Sequence, residues 1–154
     1  FAGDIAPQRG HAIGADVITG FPGESDEAHE NTCRFLEETA PAYLHVFRYS
    51  PRPGTPAADM ADQVPETVKK RRSAELHAIR SRLSLEFRRQ FEGRTMAVLF
   101  ESRRAQGLLT GLTGNYLRVA AQGPDSLMGR IAPVKITRLA GAGMHGEIVN
   151  RDNP

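Results

Sequence analysis

Arginine and hydroxyl side chains are concentrated in one proline-rich segment, residues 48–56. Its three prolines and one glycine predict an ordered turn or extended loop. Guanidinium groups can hold a phosphate through two parallel hydrogen bonds. The candidates for contact with a substrate or cofactor are therefore Arg48, Ser50, Arg52 and Thr55. In the alternative interpretation, Arg48 pairs with an acidic neighbour and Ser50 caps a turn, and the sequence leaves both interpretations open.

A second set of candidate binding residues is dispersed over several predicted strands and loops that a small barrel would bring together. Its basic members are Arg94, Arg103, Arg104, Arg118, Arg130, Lys135 and Arg138. Phosphate contacts from such residues position an RNA without reading its base sequence. Tyr116 could also stack on an unpaired base, although a tyrosine in a strand more often packs in the core or at its rim.

The charge of the chain is unevenly distributed. Residues 1–64 contain 4 Lys/Arg and 10 Asp/Glu, whereas residues 65–92 and residues 93–154 each contain 8 Lys/Arg and 4 Asp/Glu. The first part is therefore acidic, and the C-terminal ninety residues carry a net charge of +8. A basic half on a nearly neutral chain favours a polyanionic partner, because Lys and Arg release condensed counterions when they meet phosphates. The alternative is a solubilising surface.

Several classes of site and location are not indicated. Cys33 is the only cysteine of the sequence, so the chain has no ligand set for a zinc or iron–sulfur site, and Cys33 is predicted to be a small buried residue. The histidines lack metal-ligand spacing and no nucleophile–base–acid arrangement appears. No stretch approaches the roughly 20 apolar residues of a membrane span, and no signal peptide is evident, so we expect a cytoplasmic protein. The start at Phe1 suggests a truncated product.

The first half of the chain predicts a strand, a helix and a second strand. Residues 13–20 form a short apolar run that ends in glycine, and Ser25 then starts a helix with acidic residues in its first turn. Residues 43–49 are rich in aromatic and β-branched side chains, as in a strand. Such a unit implies a parallel sheet. In barrels of alternating strands and helices, the loop that follows each strand builds the active site, which favours residues 50–56 as functional.

Helical spacing predicts which side chains the two helices bury. In the first helix, Ala28, Thr32, Phe35, Leu36 and Thr39 are expected to face the sheet, with His29 at the edge of the helix. A long bridging helix is predicted over residues 65–92, with Pro65 in its first turn. Its apolar positions are Val68, Leu76, Ile79, Leu83, Phe87 and Phe91.

After Gly93 the pattern changes to short β-type runs separated by glycine. The predicted strands are residues 95–101, 107–112, 116–121, 127–137 and 144–149, with turns at residues 114–115 and 123–125. Five short strands in about sixty residues indicate a small closed barrel. The predicted domains are therefore residues 1–92 and residues 93–154.

Two segments make the sequence recognisable. Residues 16–24, Asp-Val-Ile-Thr-Gly-Phe-Pro-Gly-Glu, and residues 45–57, His-Val-Phe-Arg-Tyr-Ser-Pro-Arg-Pro-Gly-Thr-Pro-Ala, resemble the late barrel of the MiaB-like radical SAM tRNA methylthiotransferases. The resemblance continues through residues 62–65 and 68–72, and residues 93–95 and 127–137 are similar to the TRAM domain of that family. Residues 16–18 and 43–47 look most like the MtaB branch, which modifies threonylcarbamoyladenosine in tRNA.

The resemblance implies a fold class and a reaction. The fold is α/β followed by all-β: the C-terminal portion of a radical SAM (β/α) barrel, then a five-stranded OB-like TRAM β-barrel. In the family, a reduced 4Fe–4S cluster cleaves S-adenosylmethionine to a radical that activates an adenosine carbon for insertion of sulfur and methyl. The cluster cysteines would lie in missing N-terminal domains, so the chain is expected to be inactive alone. The implied partner is tRNA, and a monomer is expected.

The resemblance also implies where the cofactor lies. The strand and loop that pass beside the adenine and ribose of S-adenosylmethionine in the family match Ile18, Gly20, Phe21, Pro22, Gly23 and Glu24. Glycine permits close backbone approach and the apolar side chains could contact a flat base. The alternative is a tight strand–helix turn that needs glycine and proline for its geometry alone. Two other functions remain open: an RNA-binding module without catalysis, and the family branch that modifies a ribosomal protein.

Overall fold

The structure, a computed structural model, describes residues 11–103 and 107–149, with the Arg103 side chain left out. The chain divides into two compact units, Phe1–Leu85 and Glu86–Pro154. Each is described by itself below. None of the helices in the described residues has the length and apolar character needed to cross a bilayer.

The first unit contains the strand–helix–strand arrangement that the sequence predicts. Strand β1 spans Gly14–Thr19, helix α1 spans Asp26–Thr39 and strand β2 spans Tyr43–Arg48. The two strands pair in parallel, with Gly14 opposite Tyr43 and Thr19 opposite Arg48. This parallel pairing confirms the predicted βαβ unit. It brings the segments that follow β1 and β2 to the same edge of the sheet.

Local sequence sets both ends of α1. The Ser25 hydroxyl oxygen accepts a hydrogen bond from the Ala28 backbone N–H at 3.1 Å, and Asp26 and Glu27 occupy the positive end of the helix dipole. At the other end, Ala40 adopts a left-handed conformation with φ of 44°, and its N–H donates to the Leu36 carbonyl. Ser25 is therefore the N-cap, as predicted.

The buried face of α1 differs from the predicted one. Phe35 is 61% exposed, whereas Leu36 and His29 are 2% and 4% exposed. The core of the unit is formed by Leu36, Leu44 and Leu76, with Cys33 packed against it. The prediction is confirmed for Leu36 and wrong for Ala28 and Phe35, which are exposed, because apolar Phe35 was given precedence over polar His29. The helix instead turns toward the core His29, Cys33 and Leu36, which are spaced three and four residues apart, and Cys33 is only partly buried.

Helix α2 spans Glu66–Arg89 and begins directly after Pro65. The predicted apolar positions Leu76, Leu83 and Phe87 are buried. The helix also buries three polar side chains that apolar spacing could not reveal, Lys69, Arg72 and Ser73. The unit boundary between Leu85 and Glu86 falls within this helix.

The second unit is a closed five-stranded barrel with strand order β3-β4-β5-β7-β6, as predicted for the all-β part of the fold. Neighbouring strands are antiparallel except β5 and β7, which are parallel. The strands are β3 Thr95–Arg103, β4 Leu108–Thr113, β5 Arg118–Gln122, β6 Ile131–Ala140 and β7 Gly143–Ile148. A short 3-10 helix at Asp125–Leu127 precedes β6, so that strand starts four residues later than its pattern predicts.

Side chains that point into the barrel alternate with exposed ones. The interior includes Val98, Phe100, Leu109, Val119, Val134 and Ile136, each 0% exposed. Register shifts interrupt this alternation in β3, between Phe100 and Ser102, and in β6, between Ile136 and Arg138. Such bulges re-aim the side chains beside them. Both interruptions lie next to charged residues considered below.

Candidate cofactor corner and nucleic-acid interface

The corner between β1 and α1 is a tight turn held by backbone hydrogen bonds. Glu24 N–H donates to the Phe21 carbonyl at 3.0 Å, and Gly23 N–H donates to the Asp62 carbonyl at 2.8 Å. Gly20 and Gly23 have φ of +76° and +82°, a region that side chains other than glycine rarely adopt. The glycines are therefore required by the turn itself.

Glu24 is the centre of a polar network at this corner. Its carboxylate accepts hydrogen bonds from the Gly20 backbone N–H at 2.6 Å, the Thr19 hydroxyl at 3.3 Å and the Arg72 guanidinium at 2.8 Å. Arg72 also donates to the Glu24 backbone carbonyl at 2.8 Å. The carboxylate thus ties the end of β1 and the start of α1 to α2.

Arg72 connects Glu24 to a second carboxylate. Its guanidinium lies 2.9 Å from Asp26, and its side chain is only 4% exposed. The hydrogen bond from Arg72 is the main reason that the pKa of Asp26 lies below its ordinary value. Burial disfavours the Arg72 cation, but the hydrogen bonds to Asp26 and Glu24 outweigh burial and raise the pKa of Arg72. The corner is therefore a charged, hydrogen-bonded cluster.

Lys69 closes the corner from the side of α2. A Cβ added to Gly20 would lie 2.4 Å from the Lys69 Cγ, so the lysine stem occupies the space beside this glycine. The Lys69 ammonium lies 2.9 Å from Glu66 and 5.2 Å from the centre of the Tyr49 ring. Its hydrogen bond is the main reason that the pKa of Glu66 is lowered. Phe21 contacts the same tyrosine edge-on, with ring centres 5.2 Å apart.

Residue His29 belongs to the interior of this unit and not, as predicted, to the helix edge. Its Nε2 lies 2.8 Å from a Glu75 carboxylate oxygen and 3.6 Å from the Cys33 sulfur. Burial, with the nearby Glu75 charge, raises the pKa of the Cys33 thiol. A thiol with a raised pKa is a weak nucleophile and a weak metal ligand. Cys33 is therefore a packing residue, as the sequence suggests.

Sequence reasoning missed the three polar residues of α2 that organise the corner. They are Lys69, Arg72 and Glu75, which recur every three residues and so share one face of the helix. That periodicity was visible in the sequence. The partners of Arg72 and Glu75 could not be identified, because Glu24, Asp26 and His29 lie more than forty residues away along the chain.

Among the described residues, nothing covers the other face of the sheet. Ala15, Val17 and Val46 pack against the core, so the alternate residues of the strands point to the opposite side. There Ile18 pairs with Phe47, and these side chains are 57% and 52% exposed. Phe21, in the adjoining turn, is 44% exposed, whereas Pro22 is buried. The predicted cofactor residues thus separate into exposed apolar ones, Ile18 and Phe21, and ones that build the turn.

The proline-rich segment lies on the surface. Arg48, Ser50 and Arg52 are exposed, and Arg48 is close enough to Glu66 to help lower its pKa. The Thr55 hydroxyl donates to the Arg52 carbonyl at 2.8 Å and so closes a turn. Arg48, Ser50 and Arg52 therefore present polar groups to solvent, whereas the Thr55 hydroxyl is engaged within the loop.

In the second unit, three of the predicted RNA-binding cations lie along β6 and its neighbours. Lys135 pairs with Thr95 across the sheet, and Ile136 N–H donates to the Arg94 carbonyl at 2.8 Å. The β6 bulge precedes Arg138, which pairs with His145. All three cationic residues are exposed. Residues Arg94, Lys135 and Arg138 are called the basic strip below.

The other predicted RNA-binding residues lie elsewhere on the barrel. Arg118 begins β5, and Arg130 precedes β6 at the end opposite to Arg138. Tyr116 is 70% exposed in the β4–β5 turn, with φ of 62°. The Thr113 hydroxyl accepts a hydrogen bond from Leu117 N–H at 3.0 Å and thereby fixes that turn. The Arg103 side chain and Arg104 lie outside the described residues.

Metal ligation is not indicated by the geometry. Within residues 11–103 and 107–149, no three His, Cys, Asp or Glu side chains are grouped so that they could hold a metal ion. A 4Fe–4S cluster is held by several cysteine thiolates, and the sequence contains one cysteine. The residues of this chain therefore do not fit an iron–sulfur cluster.

Comparison with known proteins found a domain family that matches the barrel and several proteins that are similar to most of the chain. Residues 89–149 match the TRAM domain family. A threonylcarbamoyladenosine tRNA methylthiotransferase MtaB of Bacillus subtilis (strain 168) is 39% identical over 133 residues, which is 84% of this chain and 30% of that protein. A tRNA-2-methylthio-N(6)-dimethylallyladenosine synthase of Ehrlichia ruminantium (strain Gardel) is 38% identical over 82% of this chain and 29% of its own length.

A synthase with the same description from Geobacillus kaustophilus (strain HTA426) is 38% identical over 90% of this chain and 27% of its own length. The chain thus spans about 30% of the length of these curated relatives. Residues 89–149 are thus similar to TRAM domains, and most of the chain is similar to proteins named for tRNA methylthiolation. The resemblance indicated by the motifs of the first unit is confirmed.

Proposed function

We propose that this chain is the C-terminal part of a tRNA methylthiotransferase that adds a methylthio group to N6-threonylcarbamoyladenosine beside the anticodon. The observation that carries the proposal is the alignment of most of the chain with proteins named for tRNA methylthiolation, the Bacillus subtilis MtaB among them. In this proposal the second unit holds tRNA and the first unit contributes one βαβ unit to a (β/α) barrel that binds the cofactor.

The basic strip supports the RNA-binding part of the proposal. Arg94, Lys135 and Arg138 are exposed cations on adjacent segments of a barrel that matches the TRAM domain. Residues 93–154 contain 8 Lys/Arg and 4 Asp/Glu. Such a surface binds phosphates by releasing counterions, which gives affinity that is independent of base sequence. Tyr116 adds an exposed ring that could stack on a base.

The uncovered sheet face supports the cofactor-binding part. Ile18, Phe47 and Phe21 are exposed apolar side chains at the end of two parallel strands, and a flat adenine is a suitable partner for such a surface. These residues fit S-adenosylmethionine, which when bound would supply the methyl group and the radical of the reaction. Glu24 has a different role, because Arg72, Thr19 and Gly20 already engage its carboxylate. Glu24 stabilises the turn that contains Phe21.

No residue of this chain is assigned a chemical step. The exposed arginines of the proline-rich segment, Arg48 and Arg52, are proposed to contact the tRNA substrate through phosphate, together with Ser50. Since the chain has no ligand set for a cluster, we expect it to bind RNA but to be inactive alone. It is expected to act as a monomer in the cytoplasm.

A chimeric enzyme tests the proposal. The matching region of the Bacillus subtilis relative is replaced by this chain in a strain that lacks the enzyme, and tRNA nucleosides are analysed by mass spectrometry. We expect the methylthiolated nucleoside to reappear. The same chimera with Arg94, Lys135 and Arg138 changed to Gln is the control for RNA binding and should yield less product.

A chimera that accumulates as a folded protein and binds tRNA, yet yields no methylthiolated nucleoside, would contradict the proposal. That result would favour a second function, an RNA-binding module without catalysis. Product on a ribosomal protein instead of tRNA would favour the related branch of the family.

A further inference from the structure

A small polar cleft lies on the outer surface of the barrel, across β3, β4 and β5. It is lined by Glu101, Ser102, Thr110, Gly111, Leu112 and Arg118, and its volume is about 190 Å³. Drug-sized ligand sites are typically about 300–1,000 Å³. The cleft therefore suits one planar group, not a large ligand. It belongs neither to the basic strip nor to the corner of the first unit.

Local irregularities of the strands build the cleft. The register of β3 against β4 shifts between Phe100 and Ser102, and Glu101 stands at this bulge. A Cβ on Gly111 would lie 2.1 Å from the Leu99 carbonyl oxygen, so no larger residue fits there and the two strands approach closely beside the bulge. The Ser102 and Thr110 hydroxyls share a hydrogen bond of 2.6 Å. The cleft is consequently a fixed feature of the sheet.

The cleft presents both an acceptor and a donor. Glu101 and Arg118 are exposed side chains of opposite charge. Among the described residues, neither takes part in an ion pair. An ionised carboxylate only accepts hydrogen bonds, whereas a guanidinium donates in a fork that matches phosphate. Leu112, which pairs with Arg118 across the sheet, adds an apolar side chain to the lining.

We infer that this cleft binds one unpaired nucleotide of RNA, with its phosphate on Arg118 and its base edge on Glu101. The inference rests on the proposed RNA-binding function and assigns it a base-reading site. A carboxylate requires a base with N–H donors, and guanine offers two adjacent donors on its pairing edge that match the two carboxylate oxygens. The base must be unpaired, because pairing would occupy that edge. The site therefore prefers guanine to uracil.

The test compares two RNA octamers, one of uridine only and one with guanosines at its two central positions. Fluorescence anisotropy measures the affinity of the full 154-residue chain for each. A pair of hydrogen bonds to a base edge discriminates that base from one that lacks the donors, so we expect the guanosine octamer to bind about tenfold more tightly. In Glu101→Gln this ratio should fall to about one, since an amide cannot accept both hydrogen bonds.

The matched control is Glu147→Gln on β7, which changes the net charge equally at an exposed position outside the cleft. Both variants should gain general affinity for RNA, but only Glu101→Gln should lose the preference. Glu101→Asp, which keeps the charge and withdraws the carboxylate, should also reduce the preference. Arg118→Gln should weaken binding of both octamers. Thermal unfolding of each variant verifies its fold.

Three outcomes overturn the inference. If the chain binds both octamers equally, or if Glu147→Gln loses the preference as fully as Glu101→Gln, the cleft does not read a base, while the proposed RNA-binding function stands. If the chain binds neither octamer nor tRNA, the proposed function fails together with the inference.

Discussion

At the scale of single residues, Arg72 connects two carboxylates and a backbone carbonyl of the corner in the first unit. Its guanidinium hydrogen-bonds the carboxylates of Glu24 and Asp26 and the Glu24 backbone carbonyl while its side chain is 4% exposed. A buried cation of this kind is tolerated because its hydrogen bonds offset the cost of leaving water. The corner that carries Phe21 thus depends on a residue more than forty positions away.

Replacing Arg72 with Met should destabilise the first unit by about 3–5 kcal/mol, because Glu24 would keep a largely buried charge without its partner. Methionine retains much of the length of the side chain, so the loss of stability reflects the missing charge and not a cavity. Urea denaturation measures the free energy of unfolding. Arg80→Met, which removes an exposed cation from the same helix, should change it by less than about 0.5 kcal/mol. Equal effects of the two changes would contradict the role assigned to Arg72.

The residues of the corner were only partly predictable. The sequence predicts Gly20, Phe21, Pro22 and Gly23 as cofactor contacts, with a tight strand–helix turn as the alternative, and the structure shows that turn. The partners of Glu24 were not identified, because hydrogen bonds between distant segments leave no periodic pattern in a sequence. For the same reason His29 was placed at the helix edge, although Glu75 allows it to be buried.

At the scale of elements, alternation and turn residues were the most informative signals. Parallel β1 and β2, the Ser25 cap and five barrel strands were all predictable, since each depends on local spacing. The start of β6 was less predictable, because a 3-10 helix at Asp125–Leu127 uses apolar Leu127 in a turn. Closure of the barrel depends on strand pairs that are distant in sequence.

Packing of α2 against the end of β1 gives a prediction for the two glycines of the corner. Both have positive φ, but a Cβ at Gly20 would lie 2.4 Å from Lys69, whereas a Cβ at Gly23 has no heavy atom within 4 Å. Gly23→Ala should cost about 1–3 kcal/mol from backbone strain alone. Gly20→Ala should cost more, because Lys69 must also move. The comparison is made by urea denaturation, and an equal cost for both would show that Lys69 does not constrain Gly20.

At the scale of the whole molecule, the two units have different charge and different proposed tasks. Residues 1–64 are acidic and include an exposed apolar sheet face, whereas the barrel is basic and matches the TRAM domain. The uneven distribution of charged residues along the sequence already indicated this division into an acidic and a basic part. It could not show that Arg94, Lys135 and Arg138 form the basic strip while Arg118 and Arg130 lie elsewhere on the barrel, because that separation follows from the strand order.

The salt dependence of tRNA binding tests the central claim most directly. The chain should bind tRNA with an affinity whose logarithm falls linearly with the logarithm of salt concentration, by about 0.9 for each phosphate contact on a duplex. Changing Arg94, Lys135 and Arg138 to Gln should make the slope shallower by about 2–3. A control triple variant in the first unit, with Arg34, Lys70 and Arg80 changed to Gln, should keep the slope. An unchanged slope in the basic-strip variant, or binding that does not respond to salt, would contradict the account.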